Sequence, residues 1–390
     1  MRKRAVLLFA GYPISRRLTW GVALSLCLAS CLAAVDQNPS VANDGVPQML
    51  VVDRNPYANV DWTRDLRLKV QLHDHAGVDV AQLSSYDAAR YDVVSLMTYS
   101  GVASLSKSWK ERHWPPEAWL PREFLDSLKS IKLFLPDGEE VGRGHVTSPF
   151  MTAYIALWEP AYYPSRQSWH YSTTQQCIDL IRSNGGVPIL AHPWFYYDHP
   201  GGVTGFAGME VYSAYIPGAV FQGIIPPQEP DLTTVWDSVL QYNSAIFGIA
   251  VNDHYGPYWN GASSDPRIRD SGKTIILAPA LSATAIRDRL LEGAAFAVKD
   301  FGVTKDKYAY VASIEVTEST ISINTDGSVR WIGNGNEVGK GPRLVVGSLP
   351  LTTRYVRAEI SNDEGSIVFT QAFGLRAVPV VNNQGATPMQ

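Results

Sequence analysis

Cysteine is scarce in this sequence. Three cysteines occur among 390 residues, and Cys27 and Cys31 lie in an N-terminal segment that has the pattern of an export signal. Cys177 is the one cysteine in the rest of the chain, which excludes an intrachain disulfide in the mature protein. The fold must therefore draw its stability from its core. Cys177 lies in a helical pattern and is predicted to be a small, buried apolar residue.

Basic clusters and nucleotide-binding motifs are also missing. Beyond the N-terminus no block of Lys and Arg occurs, and the formal net charge is −4, which argues against a nucleic-acid partner. The sequence contains no glycine-rich phosphate loop or dinucleotide fingerprint. Because 45% of the residues are hydrophobic and 18% are charged, the chain is expected to fold, and its length suits one large domain with a smaller one.

A hydrophobic run of the usual membrane-spanning length is missing as well. The uncharged stretch from Leu18 to Val35 is short for a span, and it follows the basic residues Arg2, Lys3, Arg4, Arg16 and Arg17. This pattern predicts an export signal over residues 1–34.

Three fates of this signal are open. Leu28-Ala29-Ser30-Cys31 matches a bacterial lipobox, which would make Cys31 the lipidated first residue of the mature protein. The alternatives are simple cleavage near Ala33-Ala34 and an uncleaved anchor. We favour the lipobox, which predicts an exported, periplasmic or cell-surface lipoprotein that a lipid anchor holds to the membrane.

The remaining chain divides into segments that differ in composition and in their strand and helix patterns. Residues 35–65 are rich in Pro, Asn and Asp and are predicted to be a linker. Strand patterns alternate with helix patterns over 66–303, which predicts a parallel sheet or barrel. Short alternating strands over 308–377 predict a small antiparallel β-sandwich, and 378–390 are predicted to be a disordered tail.

A strand pattern over 68–72 ends in two histidines. Leu68, Val70 and Leu72 alternate with polar residues, and His73 and His75 follow. Residues i and i+2 of a strand point to the same face, so both imidazoles can form half of a metal site. The alternative is a pair of surface histidines brought together by chance.

The other candidate ligands also follow predicted strands. Five of the eight histidines lie at strand ends or in the turns after them, and acidic and amide side chains share these positions. In (β/α) barrels the active site forms at the face where the strands end. The sequence therefore predicts a metal centre there, and the candidate ligands are His73, His75, Glu140, His145, His192, Asn252, Asp253 and His254.

Several motifs resemble the PHP (polymerase and histidinol phosphatase) superfamily of metal-dependent phosphoesterases, most closely an exported branch with a C-terminal β domain. The resemblance covers roughly residues 66–300 and is carried in order by the His73-x-His75 pair and by these segments: GEEVGRGHV (138–146), IDLIRSNGGVPILAHPW (178–194), FAGMEVYSA (206–214), VWDSVLQYNSAIFGIAVNDHYG (235–256) and APALSATAIRDRLLEGAAFAV (278–298).

The resemblance implies a distorted seven-stranded (β/α) barrel with a site for two or three Mn, Zn or Fe ions. His73 and His75 would hold one metal, Glu140 would bridge two, and His145 and His192 would complete the second. The segment 252–254 would supply the closing ligands.

Three places depart from the family pattern. The further histidine that usually follows the first motif is absent, since residues 76–101 contain none. The second motif usually carries Thr-Asp-His after a strand, whereas this chain has Thr98-Tyr99-Ser100. In the last motif the Asp-x-His spacing falls on Asn252 and His254, with Asp253 one position off, and an amide oxygen is a weak ligand for a transition metal. One or two ions are therefore expected rather than three.

This ligand set predicts a metal-dependent hydrolase, because a bound Zn, Mn or Fe ion activates water at neutral pH. The expected substrate class is a phosphoester. Glu140, Asp253 and Asp74 are the predicted catalytic carboxylates, and Asp74 or Glu210 is expected to hold a ligand histidine. Aromatic loops over 109–119, 158–171 and 194–198 are expected to contact a small-molecule phosphoester or another organic substrate. The alternative is a catalytically degraded protein of the same fold that binds a ligand or partner.

Overall fold

A computed structural model describes most of the chain after residue 46, and for 98–100 and 136–140 it describes the backbone alone. The predicted export signal with Cys31 and the predicted site residues Asp74, His75 and His254 lie outside the described residues. Those residues are 47–73, 80–100, 120–141, 145–152, 173–193, 202–214, 231–253, 270–302 and 304–380.

The described residues form a mixed α/β structure with far more strand than helix. The strands are β1 Gln48–Arg54, β2 Leu66–Gln71, β3 Val93–Ser100, β4 Leu133–Val141, β5 Val146–Ser148, β6 Ile189–Leu190, β7 Gly208–Ser213, β8 Phe247–Val251, β9 Gly272–Ala278, β10 Ala295–Lys299, β11 Val311–Val316, β12 Thr320–Thr325, β13 Ser328–Gly333, β14 Asn336–Lys340, β15 Arg343–Val345, β16 Tyr355–Ser361, β17 Ile367–Thr370 and β18 Phe373–Pro379. The helices are α1 Val80–Ala88, α2 Arg122–Ser127, α3 Thr174–Ser183, α4 Leu232–Leu240 and α5 Ala283–Glu292, with a 3-10 turn at Val346–Ser348.

Helix ends follow the local sequence signals. Thr173 caps α3 through a reciprocal pair of hydrogen bonds with Gln176, and Ser282 caps α5 by accepting from the backbone N–H of Ala285. Gly293 ends α5 with φ of 85°, a left-handed conformation that glycine adopts without strain. In the part of the chain that the structure describes, no helix has the length and apolar character needed to cross a membrane.

Among the described residues, one large sheet contains fifteen strands. It runs in the order β1-β18-β16-β17-β10-β9-β2-β3-β4-β5-β6-β7-β8, and β13 pairs with β16 and with β14. The pairs β2–β3, β3–β4, β6–β7 and β7–β8 are parallel, as predicted. In contrast to the prediction, β5 and β9 are each antiparallel to both neighbours. The connection from Val141 to Val146 is too short for a parallel crossover, so β5 runs antiparallel to β4.

The series of strands from β2 to β8 curves so that the segment after the last strand contacts the segment after the first. The backbone N–H of Asp253, after β8, donates to the carbonyl oxygen of His73, after β2, at 3.1 Å. A Cβ on Gly272 of β9 would lie 1.8 Å from the carbonyl oxygen of Val251, so only glycine permits this approach. A fully closed seven-stranded barrel stays a prediction.

Buried apolar side chains fill the space that these strands enclose. Cys177 of α3 is buried, as predicted. Alternate residues of β2, namely Leu68 and Val70, pack there with Ile249 and Val251 of β8. A second apolar layer lies between the large sheet and a separate three-stranded sheet, β11-β12-β15, and includes Phe296 of β10.

Five of the C-terminal strands belong to the large sheet, namely β13, β14, β16, β17 and β18, whereas β11, β12 and β15 form the separate sheet. The pairings described among β11 to β18 are antiparallel, as predicted, and β17 pairs with β10. The predicted linker 35–65 contains β1, which pairs with β18, and β18 extends to Pro379, inside the predicted tail. The described residues from 48 to 380 belong to one compact unit. The division at 66–303 and 308–377 stays a prediction.

Candidate metal centre

Four predicted ligands come together where β2, β6 and β8 end. His73 follows β2, His192 follows β6, Asp253 follows β8, and His145 lies just before β5. All four are buried, with exposures of 0%, 4%, 2% and 5% in that order. Side chains at this depth are shielded from water, so charges and lone pairs interact strongly.

The Asp253 carboxylate lies between two imidazoles. Its Oδ1 is 3.3 Å from Nε2 of His73, and its Oδ2 is 3.6 Å from Nε2 of His192. The ring centroids of His73 and His192 are 6.0 Å apart, and those of His145 and His192 are 5.2 Å apart. Three imidazoles and one carboxylate therefore share a small buried volume.

Glu210 of β7 holds two of these residues from behind. Its side chain is fully buried, Oε1 lies 2.6 Å from Nδ1 of His73, and Oε2 accepts from the backbone N–H of His192 at 2.8 Å. Of the two residues expected to hold a ligand histidine, Glu210 makes such a contact. Because a carboxylate only accepts hydrogen bonds, we assign a proton to Nδ1 of His73.

The ring of His73 consequently lies between two carboxylates: its Nδ1 contacts Glu210 and its Nε2 faces Asp253. If Nε2 carried no proton, its lone pair and the carboxylate oxygen would repel each other at 3.3 Å. A positive charge between the two atoms, carried by a proton or a metal ion, removes this repulsion. Imidazole nitrogen and carboxylate oxygen are the donors that Zn, Mn and Fe accept, so the donor set fits such an ion.

The backbone at this centre is unusual. His145, His192 and Asp253 have φ values of 45°, 28° and 51°, and they are three of the eight described non-glycine residues with positive φ. Such conformations cost about 1–3 kcal/mol each and collect at functional sites. The fold therefore maintains this constellation against a local energetic cost.

Asn252 lies apart from the constellation, and its role as a metal ligand stays a prediction. Its side-chain amide donates to the hydroxyl of Tyr91 at 3.2 Å and to Asp270 at 3.1 Å, and its Oδ1 accepts from the backbone N–H of Gly272 at 3.0 Å. Asn252 and Asp253 thus point in different directions after β8: the buried Asn252 side chain contacts Tyr91, whereas that of Asp253 lies beside His73 and His192. The adjacent acid thus takes the position that the motif spacing gave to Asn252.

Gln71 joins the two strand ends that carry His73 and Asp253. Its Oε1 accepts from the backbone N–H of His73 at 3.3 Å and from that of Asn252 at 3.4 Å. Its amide nitrogen donates to the carbonyl oxygen of Gly272 at 3.5 Å. Gln71 is fully buried, and the strand pattern alone did not single it out.

A buried ionic cluster supports Asn252 from the other side. Lys273 contacts Asp300 at 2.9 Å, Asp306 at 2.9 Å and Asp270 at 3.4 Å. Burial alone would lower the pKa of Lys273, but these carboxylates outweigh it and hold the pKa above its ordinary value. Sequence analysis missed this cluster, because its residues are far apart in the chain and follow no spacing rule.

The remaining predicted ligands are placed only in part. Glu140 lies within β4 rather than after it, opposite Tyr99 of β3 and Thr147 of β5. The side chain of Glu140 lies outside the described residues, as do Asp74, His75 and His254. Within the described ranges, no three His, Cys, Asp or Glu side chains are arranged to hold a metal ion as they stand.

Comparison with known proteins gives little further information. No protein-family model matches the chain, and no curated protein matches it. Among solved structures, the chain is similar to a two-domain protein from Bacteroides vulgatus ATCC 8482 that contains a predicted PHP-like metal-dependent phosphoesterase. The identity is 14%, the TM-score is 0.44, and the match covers 83% of this chain and 98% of that one. A likeness at this level establishes neither the family nor the activity.

Proposed function

We propose that this protein is a metal-dependent hydrolase of the PHP type that acts on phosphoesters. One observation carries the proposal: Asp253 lies between Nε2 of His73 and Nε2 of His192, and buried Glu210 holds His73 from the opposite side. The order of motifs along the sequence supports the same class.

His73, His192, Asp253 and His145 would hold the metal, and His75, Glu140 and His254 would complete the set. The donor types favour one or two ions of Zn, Mn or Fe. When bound, such an ion supplies an activated water and polarises a phosphoryl oxygen.

The residues of the chain prepare this chemistry. Glu210 fixes the orientation and the tautomer of His73, which directs Nε2 inward. Gln71 fixes the spacing between the ends of β2 and β8, and therefore the spacing between His73 and Asp253. Of the three carboxylates predicted to be catalytic, Asp253 is the one whose side chain the structure describes, and in this proposal it would accept a proton from water at the centre.

Elemental analysis of the full chain tests the proposal. After incubation with Zn²⁺, Mn²⁺ or Fe²⁺ and dialysis, we expect at least one ion per chain and metal-dependent hydrolysis of p-nitrophenyl phosphate or its diester. Asp253→Ala should lose both, whereas Asp363→Ala, which changes an exposed acid in a turn, should keep both. Wild-type protein that retains no metal after reconstitution would overturn the hydrolase proposal.

A second function, ligand binding without catalysis, has one observation in its favour. Asn252 replaces the acid of the last motif, and its side chain is engaged by Tyr91, Asp270 and Gly272 instead of the histidines. Metal-free protein with the same thermal stability as metal-treated protein would favour this function, because an ion that binds the native state stabilises it.

Replacing Gln71 should affect both stability and metal binding. Gln71→Met removes the side-chain oxygen that accepts from the backbone N–H groups of His73 and Asn252. We therefore expect the free energy of unfolding to fall by about 1–3 kcal/mol. We also expect Zn²⁺ affinity to fall about tenfold, because His73 and Asp253 lose their fixed spacing. Chemical denaturation and a competitive zinc titration measure the two effects.

Gln371 provides the matched control. It is equally buried and bonds Gly248 at the start of β8, at the end away from Asp253. Gln371→Met should reduce stability similarly and leave Zn²⁺ affinity unchanged. Equal losses of affinity in the two variants would show that Gln71 acts through global stability alone.

A further inference from the structure

A cavity of about 160 Å³ lies far from the metal centre, where the start of β11 packs on β2, β9, β10 and β17. Its apolar wall is formed by Ile275, Phe296, Val298 and Val368. Arg67 lines the same cavity from β2, six residues before His73. At the rise of a β-strand, this spacing puts Arg67 roughly 20 Å from the histidines, so the two sites are separate.

Arg67 brings a positive charge that no acid in the described part of the chain neutralises. One of its N–H groups donates to the carbonyl oxygen of Ala312 at 3.1 Å. Its guanidinium lies 4.5 Å from the ring centroid of Tyr310 and 5.8 Å from that of Trp62. The aromatic rings hold the planar group in place, and most of its five donors stay available for an anion.

The second cation at the cavity is already paired. The ammonium group of Lys69 contacts Asp306 at 2.7 Å and Asp270 at 3.6 Å. Its charge is therefore balanced within the buried ionic cluster. Among the described residues no acidic side chain lines the cavity, which leaves Arg67 as the group that selects the charge of a ligand.

Tyr308 adds a hydrogen-bonding group to the cavity wall. Burial, opposed by the nearby Lys273, raises the pKa of Tyr308 to about 12. The hydroxyl is protonated at neutral pH, as that of an ordinary tyrosine is, and can donate to a carboxylate.

The size of the cavity limits the apolar part of a ligand. An engineered apolar cavity of about 150 Å³ accommodates benzene, so the volume here suits one six-membered ring or a branched chain of similar size. We infer that this cavity binds a small monocarboxylate, with its ring or branched chain against Phe296 and Val298 and its carboxylate on Arg67.

Benzoate is the probe for this inference, titrated into the full chain by calorimetry with and without a metal chelator. We expect saturable binding that the chelator leaves unchanged, at least tenfold weaker binding of benzyl alcohol, and at least tenfold weaker benzoate binding by Arg67→Met. Arg64→Met is the control, because Arg64 is exposed and does not line the cavity. It should bind benzoate like the wild type.

Three results would overturn the inference: no saturable benzoate binding, equal binding by Arg67→Met and wild type, or binding that disappears with the chelator. The last result would assign the carboxylate to the metal centre. If Arg67→Met does not fold, the comparison of benzoate with benzyl alcohol on wild-type protein still decides, since equal affinities would rule out a role for the charge.

Discussion

Glu210→Gln is expected to weaken Zn²⁺ binding by about 10–100-fold while the protein stays folded. The substitution keeps the shape of the side chain, and an amide oxygen still accepts from the backbone N–H of His192. It removes the negative charge beside Nδ1 of His73. His73 therefore donates its Nε2 electron pair to a metal ion less strongly, and its tautomer is less firmly fixed. Competitive titration with a zinc indicator measures the change.

Glu359→Gln is the matched control for this experiment. Glu359 is also a mostly buried glutamate in an ionic contact, with Arg357 at 2.7 Å and with Arg330, but it lies on β16. This control should reduce stability and leave Zn²⁺ affinity unchanged. If Glu210→Gln and Glu359→Gln bind Zn²⁺ like the wild type, Glu210 does not support a metal ligand.

Asp237→Ala is expected to lower the free energy of unfolding by about 3–5 kcal/mol. Asp237 of α4 accepts two hydrogen bonds from Arg357 of β16, both at 2.7 Å, and one from the hydroxyl of Tyr355 at 2.7 Å. Burial lowers the pKa of Arg357, but Asp237 and Glu359 outweigh burial and raise it above its ordinary value. Removing Asp237 leaves this buried cation poorly compensated. Urea denaturation measures the loss.

A double variant separates the loss of a contact from the cost of leaving the buried charge of Arg357 without its partner. Asp237→Leu with Arg357→Met replaces the ion pair by apolar groups and should recover most of the stability. Asp288→Ala, an exposed acid on α5, should change stability by less than about 0.5 kcal/mol. A double variant as unstable as Asp237→Ala would contradict the explanation by an unpaired buried charge.

Part of the site could be predicted because its residues follow regular strands. The alternation in β2 and the apolar runs in β6 and β8 located the strand ends, and His73 and His192 follow them directly. Glu210 was also detectable, because a glutamate within an apolar strand pattern needs a partner, and all six residues of β7 are buried.

The choice between Asn252 and Asp253 could not be made from the sequence. It depends on a positive φ at Asp253 and on the partners that Asn252 finds in Tyr91, Asp270 and Gly272. These partners come from distant segments of the chain, so spacing within one motif carries no information about them.

The edge of the large sheet was missed for a related reason. β1 has only two fully buried side chains, Leu50 and Val51, and lies in a stretch rich in Pro and Asn. Its strand conformation depends on pairing with β18, which a local pattern does not record. The antiparallel direction of β5 likewise depends on a short connection rather than on the pattern of β5 itself.

The pairing of β1 with β18 constrains how the protein can be made. Asp53 and Arg376 form an ion pair across 323 residues, so a growing chain cannot complete this edge until β18 has been synthesised. Until then β1 has an open edge that can pair with another chain, and contacts of such long separation form slowly. Chains that lack β18 should therefore depend on chaperones that cover exposed strands, and pairing with β18 should end this dependence.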